Sequence, residues 1–164
     1  MKEQEQVRIL IIDDDATVRR SLEVALKKNG YDVDGAENGK EAIKKSKAKL
    51  YNLALVDLRL PDMDGIGLLT SMREAAPKMV KIIITGYPSQ ENAIEAVNRG
   101  ADGYLVKPYT VEELLRKIKE HLQKQREARK YSEEKVVEFI ETRAEEHESR
   151  AQAKGDSNTN EPRR

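Results

Sequence analysis

Leu53-Ala54-Leu55-Val56 is an unbroken apolar run, and the residue that closes it is a carboxylate, Asp57. A short run of this kind, bounded by polar residues, fits a strand buried on both faces of a parallel sheet. Three further runs share the pattern. Ile9 to Ile12 leads into Asp13-Asp14-Asp15, Ile82 to Ile84 into Thr85, and Tyr104-Leu105-Val106 into Lys107-Pro108. In an open α/β sheet, sites form outside the carboxyl ends of the strands. If these strands lie parallel, acids, a hydroxyl and an ammonium meet at one edge. That set suits a divalent cation and a phosphoryl group.

Helix-like segments separate the runs. Val18, Leu22, Ala25 and Leu26 fall at helical spacing, and Asn29-Gly30 supplies a stop. Tyr31 to Asp34 reads as a second strand and Asn38 to Lys49 as a helix with Ala42 and Ile43 inward. Ile66, Leu69 and Met72 mark a third helix, and Ala93, Ile94 and Val97 a fourth. Thr110-Val111-Glu112-Glu113 is a capping box ahead of Val111, Leu114, Leu115, Ile118 and Leu122. Five strand–helix units with short connections predict an α/β fold: a doubly wound, five-stranded parallel sheet with helices on both faces. The pattern leaves the strand order open.

Composition narrows the function. The formal net charge is +0, aromatics are 4% and tryptophan is absent, so neither field nor stacking favours nucleic acid. With no cysteine there are no disulfides or thiolate metal sites, which fits a cytoplasmic protein. No apolar run approaches the ~20 residues of a membrane span. Residues 1–6 read as a polar N-terminal tail without the features of a signal peptide. Charged residues, 37% of the chain, concentrate past Leu122. There, 123–148 predicts a solvated helical extension, with a break near Tyr131-Ser132 and one apolar cluster at Val136, Val137, Phe139 and Ile140. A coiled coil needs apolar positions over ~3–4 heptads, and Gln123 to Lys130 interrupts them. Residues 149–164, polar and without periodicity, predict a disordered tail.

Taken in order, Ile11-Ile12-Asp13-Asp14-Asp15, Asp57, Leu60-Pro61-Asp62-Met63-Asp64-Gly65, Ile84-Thr85-Gly86 and Lys107-Pro108 resemble the receiver domain of two-component response regulators. The resemblance covers 7–122 and implies a flavodoxin-like, chemotaxis-regulator-like fold, here as a stand-alone or nearly stand-alone receiver. It implies that Asp57 accepts a phosphoryl group from a sensor histidine kinase. It maps the metal site to Asp13, Asp14, Asp57 and the Arg59 carbonyl, with Asp14 a direct ligand. Hard oxygen donors suggest Mg2+. Without a cation, such crowded carboxylates should raise at least one pKa. Lys107 would neutralise charge on the transferring oxygens, Thr85 would bond one of them, and Tyr104 would be an aromatic switch. Lys107-Pro108 invites a cis peptide that would aim the ammonium into the site. The resemblance also places output on an unknown protein through the helix 4–strand 5–helix 5 face, with no nucleic acid or membrane, and leaves a phosphorylation-dependent homodimer open. It implies no enzyme activity beyond phosphoryl transfer and dephosphorylation at Asp57. Arg59 and Tyr87, each two residues past a site residue, flank the path of a hydrolytic water.

Blander readings stand beside these. Asp15 suits a helix N-cap, Thr85 an ordinary strand residue, and Tyr104 a half-buried aromatic with a wet hydroxyl. Gly65 and Gly86 read as backbone devices in the flanking loops. His121 and His147 read as surface residues. Asp13-x-Asp15 also resembles the first motif of haloacid-dehalogenase-like phosphatases, with Asp13 as nucleophile and Asp15 as acid/base. That alternative lacks a later acidic pair and leaves Asp57 without a role.

Overall fold

The computed structural model describes residues 5–156. Residues 1–4 and 157–164 of the two expected tails lie outside that range. The elements are β1 (Arg8–Ile12), α1 (Ala16–Lys28), β2 (Asp32–Ala36), α2 (Gly39–Ala48), β3 (Leu53–Asp57), α3 (Gly65–Ala75), β4 (Val80–Thr85), α4 (Gln90–Asn98), β5 (Gly103–Val106) and α5 (Val111–Asp156). The five strands form one parallel sheet in the order β2-β1-β3-β4-β5. This is the flavodoxin-like order, which the apolar runs alone did not reveal. β2 begins and ends later than its sequence signal suggested, because the ladder pairs Asp32 to Ala36 with all of β1.

Strand alternation sorts the core into two layers. Leu10, Ile12, Ala54, Val56 and Ile83 pack with Ala42, Ile66, Leu69 and Met72 of α2 and α3. Ile9, Ile11, Leu53, Leu55, Ile82 and Ile84 pack with Leu22 and Leu26 of α1 and with Leu114, Ile118 and Leu122 of α5. Successive strand residues point to opposite faces, so a run apolar at every position is what a sheet covered on both sides requires.

Each helix that follows a strand starts on a side chain that accepts from first-turn amides. Asp15 accepts from Thr17 and Val18, Asn38 from Glu41, Asp64 from Ile66, and Ser89 from Asn92. The capping box at α5 forms, with the Glu113 amide donating to the Thr110 hydroxyl (3.1 Å) and the Thr110 amide to the Glu113 carboxylate (3.4 Å).

α4 departs from its sequence reading. Ile94 (53% exposed) and Val97 (65%) face outward, and Ala96 is the buried residue. Of the four apolar side chains of α4, the two alanines turn inward, Ala96 buried and Ala93 half-buried, and the two larger ones stay outside. Val111, assigned to the inner stripe of α5, is also exposed.

The chain divides into two units, the first ending at Gln123 and the second beginning at Lys124. In the second unit α5 runs unbroken through Tyr131-Ser132 and on to Asp156. The helix therefore shows neither the break expected there nor an end at Glu148. Ala and charged residues dominate this stretch, and both sustain a helix without burial.

Candidate functional site

β1 and β3 are neighbours, so the carboxyl ends of both open onto the same edge. Asp13 follows β1 directly, and its amide donates to the Ala36 carbonyl (3.1 Å), which holds the chain in sheet register one residue past the strand. Asp57 closes β3. Asp13, Asp14 and Asp57 each bring one carboxylate oxygen to within 4.8 Å of the others. Three hard oxygen donors at that spacing fit a small divalent cation. Asp13 is buried, Asp57 half-buried and Asp14 exposed.

Asp15 lies outside this trio. Its carboxylate is taken up by the α1 amides of Thr17 (2.8 Å) and Val18 (3.2 Å). That occupation favours the capping reading and removes the acid/base role the phosphatase alternative required.

Burial pushes the Asp13 carboxyl above its ordinary pKa. The Asp15 amide donates to it (2.9 Å) and pulls it back down, the Asp57 charge adds to the rise, and Lys107 opposes it. A rise was expected from crowding among the acids. Desolvation is the larger cause, since a carboxylate at a buried strand end loses more hydration than its neighbours cost it.

Lys107 arrives from β5. Its backbone amide donates to the Thr85 carbonyl (2.8 Å), which extends the β4–β5 ladder past Val106. The Lys107–Pro108 peptide is cis. The ammonium stands 3.8 Å from an Asp13 oxygen and 3.9 Å from an Asp57 oxygen. It is thus placed between the two acids and committed closely to neither.

Thr85 closes β4 and is buried. Its hydroxyl accepts from the Tyr87 amide (3.0 Å). The Arg59 amide likewise donates to Asp57 (3.2 Å). Above these anchors the Arg59 guanidinium lies over the Tyr87 ring, 3.7 Å from its centroid. A stacked pair thereby joins the β3–α3 loop to the β4–α4 loop. The sequence placed both residues beside the site but gave no sign that they touch each other.

The β3–α3 loop is also fixed from below. The Asp62 carboxylate accepts from the α2 amides of Gly39 (2.9 Å) and Lys40 (3.0 Å), which hold its pKa below the ordinary value. Gly39 leaves room for Met63, whose Cγ would lie 2.5 Å from an added Cβ. Gly65 starts α3 against the end of β3, where a Cβ would meet the Asp57 carbonyl and come within 2.9 Å of Leu58 Cα. Gly86 has no such neighbour at close range.

Tyr104 is half-buried against the α2–α3 side of the core, and its hydroxyl is buried without a hydrogen-bond partner. It is therefore shielded from bulk solvent rather than exposed to it. Tyr109 was not singled out from sequence. Burial raises its hydroxyl pKa, and the charges of Asp13 and Asp57 raise it further, so it stands within electrostatic reach of the acids. Its position two residues past Lys107 was the available signal. Arg19 was also missed: its guanidinium donates to the Asp13 carbonyl (2.6 Å). His121 is half-buried, with Nε2 close against Gly103, and is not the surface residue expected; His147 is exposed.

Residues 9–119 match the family described as the response regulator receiver domain. Over 119 residues the chain is 35% identical to the transcriptional regulatory protein ResD of Bacillus subtilis, covering 73% of this chain and 49% of that one. The chain spans about half the length, or less, of the curated relatives it matches. A CheY-like receiver domain protein from Methanospirillum hungatei aligns with a TM-score of 0.74 and 42% identity, over 76% of this chain and 99% of that one. A Burkholderia pseudomallei response regulator, solved with a phosphorylated aspartic acid, a calcium ion and citrate, aligns with a TM-score of 0.65 and 35% identity, over 67% and 65%.

Proposed function

The chain belongs to the response regulator receiver family, and from that membership we propose that Asp57 is its phosphoacceptor. The observation that carries the assignment is the position of the Asp57 carboxylate, within 4.8 Å of Asp13 and Asp14 oxygens and 3.9 Å from the Lys107 ammonium. The donor is the phosphohistidine of a sensor kinase. An Asp57 oxygen attacks phosphorus in line as the phosphorus–nitrogen bond breaks, and the imidazole nitrogen keeps the electron pair. An acyl phosphate results. Lys107 balances charge on the moving oxygens, and the Thr85 hydroxyl, which accepts from the Tyr87 amide, donates its own proton to a phosphoryl oxygen.

Asp13, Asp14, Asp57 and the Arg59 carbonyl are the groups proposed to hold Mg2+. The donor chemistry fits, being all hard oxygen with no sulfur or imidazole. When bound, the cation neutralises carboxylate repulsion and polarises the phosphoryl oxygens. The phosphorylated aspartic acid and calcium ion named for the Burkholderia relative support this reading.

The output is a protein contact. The face made by α4, β5 and the start of α5 carries Ile94, Val97, Val106 and Val111, all exposed, and is the surface proposed to report the state of Asp57 through Thr85 and Tyr104. No helix among the described residues is long and apolar enough to cross a membrane. A cytoplasmic setting is proposed from the need to meet a kinase. In the test, the protein is incubated with a small phosphodonor and Mg2+ and then treated with hydroxylamine, which cleaves acyl phosphates. Wild-type label is lost to hydroxylamine and Asp57→Asn takes none. Full labelling of Asp57→Asn refutes the assignment.

A further inference from the structure

The second unit carries apolar side chains that the receiver chemistry does not use. Val136, Phe139 and Ile140 are 58%, 62% and 59% exposed. At spacings of three and four residues they form one stripe along α5, with Val137 beside it. Three large apolar groups on an otherwise charged helix are costly to leave in water.

Beyond Glu133, Glu134 and Lys135, which border the stripe, the two flanks differ in the sign of their charge. From 124 to 130 four cations accompany one anion, and from 138 to 148 five anions accompany one cation. A parallel neighbour of the same sequence would set like charge against like. An antiparallel neighbour sets the basic segment against the acidic one at both ends, through a two-fold axis.

We propose that residues 124–150 of α5 form an antiparallel, self-complementary interface with the same segment of a second copy of this chain, centred on Val136 and Phe139. An axis between residues 137 and 138 lays Val136 against the second copy's Phe139. It sets Arg129 against Glu146 and Lys130 against Glu145, two opposite pairs at each end, against the like pairs Glu134 with Glu141 nearer the centre and Glu127 with Glu148 farther out. The paired length is ~40 Å at 1.5 Å per residue. Sustained apolar heptads are not needed, because the polar stretch before Tyr131 meets acids rather than another apolar seam. With so few apolar groups at its centre the association is weak, and its orientation comes from charge. The surface is independent of Asp57 and of the α4–β5–α5 face.

The full chain is tested by sedimentation equilibrium over a range of concentrations and salt. A reversible dimer that weakens as salt rises is expected. Arg129→Glu alone, or Glu146→Arg alone, should weaken it roughly fivefold or more, since each places like charges together at both ends. An equimolar mixture of those two variants should recover wild-type association. Val136→Asp with Phe139→Ser should be monomeric while still taking acyl phosphate at Asp57. The chain has no cysteine, so single introduced thiols report orientation. Ser149→Cys should not cross-link to itself but should cross-link to Arg126→Cys. A monomer at all concentrations, a mixture that fails to recover, or self-cross-linking of Ser149→Cys overturns the proposal.

Discussion

The stack of Arg59 on Tyr87 is expected to slow hydrolysis of phosphorylated Asp57. Both partners are anchored at the reacting edge, Arg59 through its amide on Asp57 and Tyr87 through its amide on Thr85. β3 and β4 are adjacent, with Asp57 level with Ile84. The stack therefore bridges the β3–α3 and β4–α4 loops, which flank the expected approach of a water in line with the Asp57 oxygen–phosphorus bond. Arg59 offers no acceptor and cannot serve as a base. Tyr87 is 61% exposed, so the contact belongs at the weak end for a cation over a ring, ~0.5–1 kcal/mol. If the stack must open before attack, removing it should speed hydrolysis roughly two- to fivefold. Arg59→Asn with Tyr87→Glu adds acceptors that can orient the water and should approach about tenfold. The assay charges the protein with a small phosphodonor, removes the donor and follows loss of the acyl phosphate. Arg59→Ala, Tyr87→Ala and the double variant complete a cycle. Either single change removes the whole contact, so all three rates should agree. Effects that multiply in the double variant, or a rate that falls, would refute shielding by the stack.

Asp14→Ala should weaken Mg2+ binding in a titration far more than Asp15→Ala, while Asp15→Ala should cost about 1 kcal/mol of stability through the lost α1 cap; equal effects on the metal would contradict the assignment. A chain ending after Gln125 should melt cooperatively and still label at Asp57, because Leu122 is the last α5 residue in the receiver core; loss of the fold would show that residues past it are needed. Lys81 is 3% exposed, its ammonium donates to the Met79 carbonyl, and burial lowers its pKa below the ordinary 10.5. Between the folded and unfolded values the unfolded chain binds the extra proton, so this group favours folding more as pH rises through that window. The stability difference between wild type and Lys81→Met should accordingly shift toward wild type on approach to pH 10.5; a difference independent of pH would exclude a charged Lys81 as its source.

The parts legible in the sequence are those where one physical demand dominates. β1, β3 and β4 are covered on both faces, so each carries an unbroken apolar run, Ile9–Ile12, Leu53–Val56 and Ile82–Ile84, and the run is plain. Asp13, Asp57, Thr85 and Lys107 were found because each ends such a run. α4 was misread because its side chains answer two demands at once. Its spacing fits a buried face at Ile94 and Val97, yet those residues are left outside and Ala96 packs. The Asp62 clamp on Gly39 and Lys40, the Arg59–Tyr87 stack and the approach of Tyr109 to the acids join residues far apart in sequence. No local pattern encodes such contacts; strand order creates them. The length of α5 was underestimated for a different reason. A charged helix without a buried face has no apolar period to mark its end.

The two loops beside Asp57 are unequal in stiffness. One is bolted to α2 by the Asp62 carboxylate and by Met63 seated on Gly39, and it is wedged at its far end where Gly65 meets Leu58. The other, residues 86–90, is exposed throughout, and at Gly86 an added Cβ would meet only the Lys107 side chain at ordinary contact distance. A load applied between a fixed abutment and a compliant one moves the compliant one. Under the proposed phosphorylation of Asp57, added charge would have a mechanical direction: strain that α2 and α3 refuse would be delivered to the start of α4.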